Sequence, residues 1–143
     1  MKGFQNILVP LDFSDGASTI LQTALNVLGD GGTLQLLHVV EWMPAVTAGT
    51  FGIYPHRKDI EKIKELALEK LEESVRANPD QDVQVHVKEG KPATVILEMV
   101  AALEPDLIVM GTHGRSKLDH LLLGSVAERV IRKAPCPVLT VRF

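Results

Sequence analysis

Apolar and polar residues follow two alternating patterns along the chain, one typical of buried strands and the other of amphipathic helices. Five short stretches are almost wholly apolar or alternate strictly with polar residues, which predicts strands. These are residues 7–9, 33–40, 83–87, 107–110 and 138–141. Between them, apolar residues recur every three or four positions and predict four helices, each with one buried face. This alternation of strands and helices predicts an α/β fold with a single parallel sheet and right-handed crossovers.

Glycines, prolines and short polar side chains mark the predicted ends of these elements. Residues 12–15, Asp-Phe-Ser-Asp, supply side chains that cap helices, and the glycines within 29–32 are predicted to end the first helix. Pro92 suits the first turn of the third helix because its missing N–H is not needed there. Valines alternate with polar residues in 83–87, which predicts an edge strand. Residues 41–56 show neither pattern and are interpreted either as a functional loop or as a surface excursion.

Composition and charge narrow the classes of function. The chain has 143 residues, of which 45% are apolar and 23% are charged, so we expect a single domain spanning residues 1–143. Its fifteen Lys and Arg residues are scattered among eighteen Asp and Glu residues, for a formal net charge of −3. Binding to nucleic acid needs clustered cations, and this pattern therefore argues against a nucleic-acid partner.

The sequence carries no signal for a membrane or for export. One basic residue, Lys2, precedes the first strand without an apolar h-region, and no apolar run approaches the length that spans a bilayer. The single cysteine, Cys136, lies between two prolines and is expected to be a packed small residue rather than a nucleophile. We expect a cytoplasmic protein without a membrane partner.

The most informative motif is a glycine-bearing loop between the fourth strand and the fourth helix. Its spacing is Gly111-x2-Gly114-x9-Gly124-Ser125, which differs from both the dinucleotide fingerprint and the P-loop. Glycine admits the close approach of backbone or ligand, and the start of a helix offers free N–H groups and a positive dipole end. Together these features predict a phosphate site. In open α/β sheets ligands bind beyond the carboxyl ends of strands, and the end of the first strand at 10–12 is also loop-like.

In these features the sequence resembles the ATP-binding branch of the universal stress protein family. Besides the glycine loop, the resemblance rests on three stretches in the family's order. They are Ile-Leu-Val-Pro-Leu-Asp-Phe-Ser at 7–14, Leu-His-Val-Val at 37–40 and Pro-Val-Leu-Thr-Val at 137–141. The resemblance implies a Rossmann-like open sheet in strand order 3-2-1-4-5 with helices on both faces. That order makes the first and fourth strands neighbours, and the family binds a nucleotide in the crevice between their ends.

The resemblance also implies which residues contact the nucleotide. They are Pro10 and Asp12 at the adenosine end, Val39 at the adenine edge, and Met110, Gly111, Gly114, Arg115, Gly124, Ser125 and Val126 around the phosphate loop. Other interpretations stay open for three of them. Asp12 could be only a helix-entry residue, Ser125 could cap its own helix, and Arg115 could be a solvated residue at the rim of the loop.

No catalytic or metal-binding set is predicted. The chain lacks a P-loop lysine, a kinase-like His-Arg-Asp set and a Gly-x-Ser-x-Gly elbow. His113 and His120 are seven residues apart, with Asp119 beside the latter, and they lack further ligands for a protein-only metal cage. A divalent ion such as Mg²⁺, if bound, is expected to be coordinated mainly by the phosphates of ATP.

The resemblance implies an ATP-binding regulatory module of the stress response, in which bound nucleotide changes the surface shown to an unknown protein partner. Two alternatives stay open. The first is a slow nucleotide hydrolase or a self-phosphorylating protein, with His113 or Ser116 as the reactive group. The second is a nucleotide-free interaction module, whose mark in the family is loss of the glycine loop, and that loop is intact here.

The last strand predicts a homodimer. Residues 138–141 are apolar and contain neither charge nor proline. At the edge of a sheet, their unpaired N–H and C=O groups would favour pairing with a second copy, and the family resemblance implies the same arrangement. In the alternative interpretation, Arg142 and adjoining loops shield the edge in a monomer.

Overall fold

The computed structural model of the protein describes residues 2–41, 57–113 and 123–143. The unpatterned segment 42–56 and the loop residues 114–122 lie outside this description. The elements follow in the order β1 (Phe4–Pro10), α1 (Ala17–Val27), β2 (Leu28–Val40), α2 (Arg57–Ala77), β3 (Asp82–Glu89), α3 (Pro92–Leu103), β4 (Leu107–Gly111), α4 (Ser125–Lys133) and β5 (Val138–Val141). Within the described ranges, the strands and helices therefore follow one another as the sequence pattern predicts.

All five of these strands lie in one parallel sheet with the order β3-β2-β1-β4-β5. This confirms the predicted α/β fold and the strand order 3-2-1-4-5. The two strands expected at an edge, β3 and β5, are the outer strands of the sheet. At the carboxyl ends, Pro10 of β1 pairs with Leu37 of β2, and Gly111 of β4 pairs with Val141 of β5.

Helices cover both faces of the sheet because its central strands are apolar on both sides. Alternate residues of a strand point to opposite faces, so Ile7 and Val9 enter one core and Leu8 enters the other. The first core includes Ile20 of α1 and Leu71 of α2, and the second is built largely from α3 and α4. Among the helices of the described ranges, none combines the length and the apolar character needed to cross a membrane.

The second strand begins earlier than the sequence pattern predicts. The glycines within 29–32, expected to end α1, lie inside β2, and α1 passes into the strand at Leu28, whose backbone is extended (φ −68°, ψ 131°). A Cβ atom on Gly29 would lie only 2.9 Å from the carbonyl oxygen of Gly3. The prediction of a glycine-terminated helix is therefore wrong in this detail, because the glycines permit close approach between the starts of β1 and β2.

The segment 12–15 precedes α1 without capping it. Gly16 occupies the N-cap position and no side chain caps the helix. The carboxylate of Asp12 instead accepts a hydrogen bond from the N–H of Ser14 (3.0 Å), which closes a tight turn. Phe13, in the middle of this turn, has a φ of 61° in the sparsely populated left-handed region. These polar residues therefore shape the chain that leaves β1 rather than the first turn of the helix.

Candidate functional site

A cavity of about 540 Å³ lies at the carboxyl ends of β1 and β4. The strand order reverses between these two neighbours, and open α/β sheets bind ligands at such a switch point. The walls also include the end of β2, Ile63 of α2, Pro92 and Ile96 of α3, and the first turn of α4. The volume falls within the range of about 300–1,000 Å³ that is typical of small-molecule sites.

Eight of the ten residues predicted to contact a nucleotide line this cavity. They are Pro10, Asp12, Val39, Met110, Gly111, Gly124, Ser125 and Val126. The other two, Gly114 and Arg115, lie outside the described residues. The fold thus brings β1, β2, β4 and α4 together at one surface, and the contacts of these residues with a ligand stay a prediction.

Further wall residues were not identified as site residues in the sequence. They are Leu11, Ile20, Leu37, His38, Val40, Glu41, Ile63, Pro92, Ile96, Thr112, His113 and Ala127. Periodicity predicts that Ile20 and Ile96 are buried, but it does not reveal that their buried side borders a cavity. Some of them did carry a local signal. Leu11, Leu37, His38 and Val40 lie in the stretches that carry the family resemblance, and Thr112 and His113 directly follow the first glycine of the loop motif. His113 was also considered as a reactive group.

At one part of the cavity, α4 begins without a side-chain cap. Gly124 is the N-cap residue, with extended backbone (φ −62°, ψ 155°), and Ser125 is the first helical residue. Ser125 therefore does not cap its own helix. The N–H groups of a first helical turn have no carbonyl partners within the helix, and the positive end of the helix dipole lies at the same place. This end of the cavity is suited to an anion.

Both described glycines of the loop motif lie close to other parts of the chain. The N–H of Gly124 donates to the carbonyl oxygen of Thr112 at 2.7 Å, and a Cβ atom on Gly124 would lie 2.9 Å from that oxygen. A Cβ atom on Gly111 would lie 3.0 Å from the ring of Phe143 and 3.1 Å from Cδ1 of Ile20. Gly124 thus lets the end of the loop approach β4 closely, whereas Gly111 leaves room for the side chains of Phe143 and Ile20.

The chain that leaves β1 is held against β2 by a buried histidine. His38 is 4% exposed, and its Nδ1 donates to the carbonyl oxygen of Leu11 at 2.7 Å. The ring of Phe13 stacks on this imidazole at a centroid distance of 4.3 Å, and Nζ of Lys70 lies 4.9 Å from the centroid of the Phe13 ring. Because Asp12 lies between Leu11 and Phe13, these contacts hold its backbone at the cavity wall.

His113, which follows β4 closely, has one ring nitrogen without a hydrogen-bond partner in the described ranges. Nδ1 lies 2.9 Å from Oγ1 of Thr112. Nε2 is shielded from solvent, and it has no hydrogen-bond partner among the residues that the structure describes. Leaving a buried polar atom unpaired costs about 1–3 kcal/mol, and most such atoms in proteins have a partner. His113 lines the cavity, and within the described ranges no protein group occupies this nitrogen.

The described residues hold neither a metal cage nor a reactive cysteine. In the ranges 2–41, 57–113 and 123–143, no three His, Cys, Asp or Glu side chains are grouped closely enough to hold a metal ion. Asp119 and His120 lie outside these ranges. Cys136 packs against the second core, and burial raises the pKa of its thiol. A thiol with a raised pKa stays protonated near neutral pH and is a weak nucleophile.

An open parallel sheet with a ligand-sized cavity at its switch point defines a Rossmann-like α/β domain. Comparison with known proteins narrows this class, because the sequence model of the universal stress protein family matches residues 3–142. Universal stress protein MJ0531 of Methanocaldococcus jannaschii is 34% identical over 142 residues, which cover 97% of this chain and 82% of that protein. The chain therefore belongs to the universal stress protein family.

Solved structures agree with this assignment. Protein MJ0577 has a TM-score of 0.78 with this chain at 29% identity, and the match covers 97% of this chain and 96% of that one. A universal stress protein in complex with cAMP has a TM-score of 0.69 at 21% identity, with 98% of each chain covered. At that identity the second comparison supports the fold alone. The family resemblance seen in the sequence is confirmed.

Proposed function

We propose that this protein is an ATP-binding regulatory module of the stress response, formed by the single domain 1–143. The observation that carries the proposal is the cavity at the switch point, which joins the uncapped start of α4 to largely apolar walls from β1, β2 and α3. Such a site suits a ligand with an anionic end and a flat, apolar end. Family membership supports a nucleotide, and the cAMP bound to a universal stress protein of the same fold is consistent with an adenine base.

The start of α4 is the proposed phosphate seat. The N–H groups of Ser125 and Val126 lie in the first helical turn, where they add to the positive end of the helix dipole. Ser125 is exposed and its hydroxyl makes no capping bond, and we propose that this hydroxyl donates to a phosphate oxygen. Gly114 and Arg115 are proposed to complete the phosphate seat, and Mg²⁺ would be coordinated by the phosphates.

The ends of β1 and β2 are the proposed adenosine seat. Pro10 and the buried Met110 offer apolar surface, and the backbone of Val39 is proposed to meet the adenine edge. Asp12, whose Oδ1 is oriented by the N–H of Ser14, is proposed to accept a hydrogen bond from the ribose.

Bound nucleotide is proposed to act by changing the glycine loop and the surface that it presents to a protein partner in the cytoplasm. We further propose a homodimer through β5. In the sheet order β5 has a strand neighbour on one side only, and Leu139 in this strand is 37% exposed. An edge of this kind favours pairing with a second copy.

The nucleotide released when freshly purified protein is denatured tests the proposal most directly. We expect an adenine nucleotide, and we expect calorimetric titration of the emptied protein with ATP to saturate at one molecule per chain. A protein that neither carries an adenine nucleotide nor binds one at millimolar concentration would refute the proposal. That result would favour the nucleotide-free interaction module.

A further inference from the structure

We infer that His113 is a phosphorylation site whose Nε2 takes up the terminal phosphoryl group of a nucleoside triphosphate held in the cavity. The inference goes beyond the proposed function and rests on it for the phosphoryl donor. The acceptor atom itself is defined by contacts of this chain. Of the two reactive groups considered from the sequence, Ser116 lies outside the described residues, and the geometry points to His113.

We assign to the neutral His113 ring the tautomer in which Nδ1–H donates to Oγ1 of Thr112. Nδ1 lies 2.9 Å from Oγ1 of Thr112. When Nδ1–H donates to this hydroxyl oxygen, the proton of the neutral ring resides on Nδ1 and Nε2 carries the lone pair. The same nitrogen is the shielded atom without a hydrogen-bond partner in the described parts of the chain. No protein group in those parts therefore competes for its lone pair.

The backbone holds His113 beside the proposed phosphate seat. The N–H of Thr112 donates to the carbonyl oxygen of Val141 at 3.1 Å, and its carbonyl oxygen accepts from the N–H of Gly124 at 2.7 Å. The residue before His113 is therefore fixed both to β5 and to the N-cap of α4. A Cβ atom on Gly124 would lie 3.5 Å from Cα of His113, which shows how closely the histidine approaches the start of the helix. Group transfer depends on this kind of fixed positioning.

The proposed step is balanced without any further reactant. The lone pair of Nε2 forms a bond to the terminal phosphorus, and the bond from that phosphorus to the oxygen bridging it to the next phosphate breaks. The electron pair of the broken bond leaves with the nucleoside diphosphate. Nδ1 keeps its proton, so the phosphorylated ring is a cation whose N–H donates to Oγ1 of Thr112. No base is needed because Nε2 has no proton to lose.

The other described histidines are differently placed, and one of them provides a matched control. Nε2 of His86 lies 2.7 Å from Oε1 of Gln35, an oxygen that accepts the ring proton, so this nitrogen has no free lone pair. His86 lies on β3 and does not line the cavity. His38 is buried beneath Phe13 with its Nδ1 on a carbonyl oxygen. Only His113, among the described residues, combines a cavity position with an unpartnered ring nitrogen.

Two measurements that need no nucleotide test the acceptor. The ¹⁵N chemical shifts of the imidazole nitrogens should show His113 with its proton on Nδ1, and Thr112→Val should redistribute the proton between the two nitrogens. Potassium phosphoramidate, a small phosphoryl donor, should phosphorylate the wild-type protein at His113. The rate of phosphate incorporation should be at least tenfold higher in the wild-type protein than in His113→Gln. A ring protonated on Nε2 at neutral pH, or equal labelling of the two proteins, would overturn the inference.

The transfer itself is tested with γ-³²P-labelled ATP on the intact protein. We expect an acid-labile, alkali-stable label on the wild-type protein, as a phosphorus–nitrogen bond requires. The label should fall at least tenfold in His113→Gln and should be unchanged in His86→Gln. Nucleotide occupancy is measured in parallel by calorimetry with a non-hydrolysable ATP analogue. Bound nucleotide without an acid-labile label overturns this inference alone, whereas absence of nucleotide binding refutes the proposed function and this source of the phosphoryl group with it.

Discussion

A Gly124→Ala substitution should destabilise the fold, although it adds a single methyl group to a loop at the surface. The new Cβ atom would lie 2.9 Å from the carbonyl oxygen of Thr112, about half an ångström short of ordinary contact, which begins near 3.4 Å. The oxygen belongs to the backbone at the end of β4 and cannot swing aside as a flexible side chain can. Relief therefore requires the start of α4 to move away from β4.

That movement would lengthen the hydrogen bond from the N–H of Gly124 to Thr112, which now measures 2.7 Å. Overpacking typically costs about 1–3 kcal/mol, and a weakened backbone hydrogen bond contributes within the same range. For a domain of this size, such a loss should lower the melting temperature by about 2–12 °C. Thermal melts and denaturant titrations of the nucleotide-free protein measure it directly. A Gly124→Ala protein with wild-type stability would refute the argument from close approach.

Ser125→Ala is the matched control, because it changes the adjacent residue without altering this contact. The Ser125 side chain makes no capping hydrogen bond, so we expect stability to stay within about 0.5 kcal/mol of wild type. Affinity for ATP should instead fall by about 1–3 kcal/mol, roughly 5- to 150-fold, through loss of a hydrogen bond to a charged group. If calorimetry finds the affinity of Ser125→Ala unchanged, the phosphate seat is not at the start of α4.

Three further predictions concern the base, the dimer and acid stability. Calorimetry should show tighter binding of ATP than of GTP, because the proposed adenosine seat offers backbone groups near Val39 rather than a dedicated acidic group for guanine. Replacing the exposed Leu139 by Lys should convert a sedimenting dimer into a monomer, since like charges would meet across the β5 edge. The hydrogen bond from Arg57 lowers the pKa of Glu89 below its ordinary value of 4.5. The stability from this pair is therefore fully present above that value and is lost as pH falls through the lowered pKa, so Glu89→Gln should flatten the acid end of the stability curve.

Each of these three has a distinct contrary result. Equal affinities for ATP and GTP would remove adenine recognition and leave phosphate binding intact. A wild-type protein that sediments as a monomer at micromolar concentration would exclude the β5 dimer. Unchanged acid sensitivity in Glu89→Gln would show that the ion pair with Arg57 does not contribute measurably to folding.

The helices and strands of this protein could be predicted because hydrophobic periodicity is a local property of the chain. Residues 107–110 and 138–141 lie within strands because runs of apolar residues bury both faces or one face of a sheet. The start of β2 could not be predicted in the same way. A glycine has no side chain to show periodicity, so in the sequence Gly29 indicated only the end of a helix. In the structure it lies in β2 and permits the close approach of Gly3, a contact that the local pattern does not contain.

Strand order and the walls of the cavity depend on which elements become neighbours. Periodicity predicts that β1 and β4 are buried, but it does not predict that they are adjacent. The expected strand order 3-2-1-4-5 came from the family resemblance. The pairing of Ile7 with Leu107 and of Leu8 with Ile108 establishes that adjacency. From the sequence, the glycine motif pointed to two residues that line the cavity, Gly111 and Gly124. The sequence could not predict that Ile63 of α2 lines the cavity, because this position depends on how a helix from another part of the chain packs against the sheet.

By itself, the sequence determined the α/β alternation and the position of a glycine-bearing loop between β4 and α4, since both arise from neighbouring residues. Only the tertiary structure decided why Gly124 must be glycine and how His113 is placed. The first depends on the carbonyl oxygen of Thr112, and the second on a backbone held jointly by β5 and the start of α4. Contacts between atoms that are distant along the chain set the chemical environment of a residue, and they leave no mark in its local pattern.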